Sequence, residues 1–121
     1  MREVFVGSEA VAAGRISEHE LRRWYQPVFR DVYMPKSVQL SLRDRTECAW
    51  LWSKRRAVIA GVAAAALHGA QWIDPGEPVE LIAPSARRQE GLIVRNEALA
   101  ENEVTRIAGL RVTTPARTAF D

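Results

Sequence analysis

The sequence predicts an α+β fold. Three observations predict it: two short capped helical pieces open the chain, a longer capped helix and an alanine-rich run fill its middle, and short β-type runs follow. With 121 residues, 47% of them hydrophobic, the chain can bury a core of its own, so general disorder is a poor reading.

The first helical piece is Ser8-Glu9-Ala10-Val11-Ala12-Ala13, closed by Gly14. The second runs from Ser17 to Tyr25, and Ser17-x-x-Glu20 is a capping box that satisfies the free N–H groups of its first turn. Leu21, Trp24 and Tyr25 recur at helical spacing and predict one apolar face, with Arg22 and Arg23 projecting elsewhere. Pro27 ends that helix, and Val28 to Pro35 reads as an edge strand or short hairpin. Helix, turn, helix, strand is the order of a winged helix. Residues 1–38 therefore read as a truncated winged-helix-like DNA-binding segment, with the second helix directed to the major groove.

Residues 39–121 read as an α+β domain holding a helical pair and a small antiparallel sheet. Ser41 opens a helix to about Lys54, with Leu42, Cys48, Ala49 and Trp52 on its buried side, and Ile59 to His68 is expected to be its alanine-rich partner. After the turn composition Asp74-Pro75-Gly76, the runs Val79–Ala83 and Gly91–Arg95 should pair, and Leu110–Thr113 is a third strand candidate. Thr114 and Pro115 start a last helix that the sequence leaves barely begun, which suggests a fragment of a longer protein.

The net charge is +2, but residues 22–56 hold nine Lys/Arg against three acids, while both flanks are slightly acidic. Such a block can supply phosphate contacts, although a solvated helix face gives the same count. One cysteine, Cys48, excludes a disulfide framework and suits a reducing cytoplasm. Met1-Arg2-Glu3 leads into only a short apolar run, so no signal peptide is read, and the Ala57–Ala70 run is too short for a membrane span. His19 and His68 lie near no nucleophile at a recognisable spacing, and two histidines with one cysteine make no credible metal site. A metal-dependent nuclease would need a lysine where Ile82 follows the acids Asp74 and Glu80. His68 and Arg117 read as structural. Enzymatic activity and a cofactor are not expected.

The segments Ser8–Gly14, Arg22-Arg23-Trp24, Asp31-Val32-Tyr33, Ala57–Gly61, Ala64–Ala70 and Val112–Asp121 resemble the N-terminal region of AbiEi-family antitoxin-domain proteins. Ala65-Ala66-Leu67-His68-Gly69 and Thr114-Pro115-Ala116-Arg117-Thr118 are the most telling. The resemblance implies an N-terminal winged helix that binds double-stranded DNA and represses its own toxin–antitoxin operon. Many relatives continue into a very-short-patch-repair-type endonuclease domain, and none of its catalytic residues fall in this chain. The candidate DNA contacts are Arg15, Ser17, His19, Arg22, Arg23, Arg30 and Lys36. The alternative is an accessory module that recognises a protein, such as a toxin or a nuclease-type domain.

Overall fold

The computed structural model describes residues 4–70, 73, 76–84 and 87–120. Trp72, Asp74 and Pro75 lie outside them, and with them most of the expected turn and one expected nuclease acid. Among the described residues the fold is α+β, with five α-helices and two sheets.

The N-terminal third builds the smaller sheet. Strand β1 (Phe5–Val6) leads directly into α1 (Gly7–Ala12), and Gly7 lies so close beneath Tyr33 that a Cβ there would fall 2.5 Å from the ring. Helix α2 (Glu18–Trp24) starts at Ser17 in the expected capping box. Strands β2 (Tyr25–Phe29) and β3 (Val32–Pro35) form a hairpin, and β1 pairs antiparallel with β3, giving the order β1-β3-β2. An edge strand or short hairpin was expected from Val28, but the extended chain begins at Tyr25, and Pro27 disfavours helical geometry in Gln26. β2 is an edge strand, where a proline is tolerated.

Helix α3 (Leu42–Trp52) is capped by Ser41 and Asp44 and buries Leu42, Cys48, Ala49 and Trp52, as the spacing predicts. The expected alanine-rich partner helix is corrected. Val58–Ala60 forms strand β4, and only Gly61–Leu67 is helical, as α4. Ala57, Ile59 and Ala60 are fully buried, so this run is a central strand rather than the first turn of a helix.

The sheet is also corrected, from antiparallel to mixed. β4 pairs antiparallel with β5 (Val79–Ile82) on one side and parallel with β8 (Leu110–Thr113) on the other. β6 (Leu92–Arg95) runs parallel to β5, and β7 (Val104–Ile107) antiparallel to β8, so the order is β6-β5-β4-β8-β7. β7 is an addition to the expected strands. Its turn into β8 has two residues, Ala108 (φ 52) and Gly109 (φ 83), whose left-handed backbone matches the twist of a tight hairpin. Helix α5 (Pro115–Phe120) begins as expected, with Thr114 Oγ1 accepting from Arg117 N–H.

The apolar cores of the two sheets are joined. Phe29 and Val32 of the hairpin belong to the same buried cluster as Leu42, Trp52, Ile59 and Leu81, while Phe5, Ala10 and Leu21 form a smaller cluster under α2. The hairpin is therefore seated on α3 and does not hang free.

Candidate nucleic-acid interface

The placement of α2 follows from its ends and its one buried side chain. Ser17 Oγ accepts from Glu20 N–H at 3.1 Å and Glu20 Oε1 accepts from Ser17 N–H at 3.1 Å, so Ser17 acts in the fold as a helix cap. Leu21 is buried against Phe5 and Ala10, and Tyr25 packs edge-on to Phe5 with centroids 4.9 Å apart. With that side fixed, His19, Arg22 and Arg23, three and four residues apart, share the outward side and are all exposed.

Trp24 does not join the apolar face expected of it. It is 59% exposed, and the Arg23 guanidinium lies 5.1 Å from its ring centroid. The helix ends at Trp24, and Tyr25 leaves it in extended backbone to pack on Phe5 in place of Trp24. Lys36 is brought to this end of α2 because its N–H donates to Trp24 O at 3.0 Å. Arg15 is exposed in the turn before the helix. Among the described residues, none of His19, Arg22, Arg23 and Lys36 forms an ion pair.

Arg30 stands apart from this group. It occupies the hairpin turn, at the far end of β2 and so about 16 Å from the C-terminal end of α2 at ~3.3 Å per strand residue. Its N–H donates to Gln89 Oε1 at 2.9 Å, and the neighbouring Asp31 carboxylate accepts from Ser8 N–H and Ser8 Oγ–H. Arg30 lines a cleft of about 480 Å³ with Lys54, Arg55, Arg87 and Trp52. In that cleft Arg55 forks onto Glu9 with two hydrogen bonds of 2.9 Å, which hold the Glu9 carboxyl below its usual range and raise the Arg55 guanidinium. Sequence reasoning used neither Lys54 nor Arg87 as contacts; the basic triplet Lys54-Arg55-Arg56 was the available signal.

Glu80, Glu97 and Glu103 of the second half are tied up elsewhere. Glu80 pairs with Arg95 at 3.1 Å, Arg95 also approaches Glu97, and Arg117 bridges Glu97 and Glu103, so the last helix is fastened to the sheet. His68 Nε2–H donates to Thr113 O at 2.7 Å, which fixes the end of α4 to β8. Burial pushes the Cys48 thiol up to about 12, which keeps it protonated and unreactive. Among the described residues no group of three His, Cys, Asp or Glu side chains is placed to hold a metal ion, and no helix is long and apolar enough to cross a membrane. No protein-family model, curated protein or solved structure matches this chain.

Proposed function

We propose that this chain is a DNA-binding transcriptional regulator of antitoxin type, an autorepressor that sets α2 into the major groove. The observation that carries this reading is the outward side of α2, where His19, Arg22 and Arg23 stand exposed beside Trp24 and Lys36. Seven residues make a helix about 10 Å long, short enough to enter a groove about 12 Å wide. An arginine there is suited to a guanine edge, and the other cations to phosphates on either side. The order strand, two helices and hairpin, with β1 paired to the second hairpin strand, supports a winged-helix-like segment over residues 1–38. The resemblance to AbiEi-family antitoxins supplies the operon as the target and extends an AbiEi-like domain over residues 39–121. Arg30 enters this reading only as a more distant phosphate contact.

The second reading is an accessory module that binds a protein partner. It is favoured by β6, an edge strand that exposes Ile93 (46%) where another chain could pair.

The test is a titration of the chain against its own upstream duplex and a scrambled one at several salt concentrations. Specific binding is expected, and in the Arg22→Ala/Arg23→Ala variant it should lose its preference for the specific duplex while the log–log salt slope falls by about 0.9, for the one phosphate the variant no longer neutralises. Unchanged affinity and slope in that folded variant would overturn the DNA reading and leave the accessory module.

A further inference from the structure

Helices α1, α3 and α4 end with the same pair of backbone hydrogen bonds, which places the residue after the cap in the left-handed region. At α1 that residue is Gly14 (φ 73) and at α4 it is Gly69 (φ 100). At α3 it is Lys54 (φ 61), and Arg55 after it is left-handed as well (φ 64). Two long cationic side chains are thus held where glycine is the unstrained choice. Asp31, in the hairpin turn, is the third left-handed non-glycine residue on the wall of the same cleft. Strain kept at one place in a fold marks a place where side-chain chemistry outweighs local stability.

The chemistry gathered there is cationic. The cleft brings together Arg30, Lys54 and Arg87, while its two carboxylates already have partners: Glu9 is held by Arg55, and Asp31 by Ser8. An adjoining groove of about 170 Å³ adds Arg56 to Lys54 and Arg87, and among the described residues no acid lines it. The Arg87 guanidinium lies 4.8 Å from the ring centroid of Trp52, a side chain only 4% exposed, so a rigid wall orients this fork of donors.

We infer that this cleft binds a phosphate group, carried by a polynucleotide backbone or by a mononucleotide, through Lys54, Arg56, Arg87 and Arg30. The inference uses nothing of the α2 reading, because no residue of α2 lines the cleft. The decisive variant is Lys54→Gly, which removes the charge and relieves the strain together.

The experiment follows backbone amide resonances of the full chain during titration with adenosine 5′-monophosphate and, separately, with a short DNA duplex. Saturable shifts are expected at Arg30, Lys54, Arg55 and Arg56. Lys54→Gly should keep or raise the melting temperature while weakening this binding about tenfold, the equivalent of one charge-assisted hydrogen bond. Tighter binding of the duplex assigns the phosphate to a polynucleotide backbone, and equal or tighter binding of the monophosphate assigns it to a free nucleotide. Absence of shifts at these amides with both probes, or binding unchanged in Lys54→Gly, overturns the inference. Shifts at His19 and Arg23, which line neither the cleft nor its adjoining grooves, report on the α2 reading separately, so either can fail alone.

Discussion

Replacing Gly61 by alanine tests the junction between β4 and α4, on which the sheet correction rests. Gly61 has φ +58, and a Cβ built there would fall 2.5 Å from Glu80 Oε1 and 2.7 Å from its Cδ. Forcing alanine into the left-handed region costs about 1–2 kcal/mol. Displacing the Glu80 carboxylate also breaks its 3.1 Å ion pair with Arg95, a pair about one quarter exposed. Screening limits that second cost to about 1 kcal/mol. The sum is about 2–3 kcal/mol, and with an unfolding entropy of ~2.1 cal/mol/K per residue over this chain it lowers Tm by about 8–12 °C. Calorimetry or circular dichroism of the purified variant reads this directly. In a Glu80→Ala background the same substitution should cost only its backbone part, roughly half as much. The reasoning is refuted if Gly61→Ala leaves Tm unchanged, or if its effect is the same with and without the Glu80 side chain.

Ser41→Ala should lower stability by about 1 kcal/mol, read as a Tm fall of ~4 °C, because it removes one half of the capping box that starts α3; an unchanged Tm would show that the cap contributes nothing. Trp24→Ala should weaken duplex binding and leave Tm nearly unchanged, since the ring is largely exposed; a large drop in Tm would place Trp24 in the core after all. Cys48 should resist thiol reagents at pH 8 until the protein is unfolded, and rapid labelling of the native chain would contradict its burial. Its raised folded pKa also fixes a sign. The unfolded thiol releases its proton first, so stability is full below the usual thiol value of 9.0 and declines as pH rises from there towards about 12.

The helices were legible where their ends carry side-chain chemistry. Ser17 with Glu20, Ser41 with Asp44 and Thr114 with Pro115 each mark a start that the structure keeps. Ala57-Val58-Ile59-Ala60 carried no such mark. A short, wholly apolar run has no periodicity to separate a central strand from a buried helix, and the alanines that follow tipped the reading to helix. The parallel pairing of β4 with β8 depends on a partner far along the chain, which no local pattern specifies, whereas the pairing of β5 with β6 was expected and only its parallel sense was not. Of the candidate contacts, His19, Arg22 and Arg23 share one side of α2, a relation legible in the sequence because helical spacing is local. The sequence also placed Arg30 with them, and only the three-dimensional path of the hairpin moves Arg30 to the cleft. The left-handed backbone at Lys54 and Arg55 is invisible in composition, since nothing in a basic triplet announces its dihedral angles.

The parallel pairing between Ile59 and Val112 has a consequence for synthesis. β4 meets β5 after a modest stretch of chain, but its other neighbour is made only some fifty residues later. At ~5–20 residues per second that gap lasts about 3–10 s on the ribosome. For those seconds one of the most deeply buried strands has an open edge, with donors and acceptors ready for any extended segment nearby. Production of intact protein should therefore respond to translation speed and to chaperone supply more than to the strength of any single native interaction.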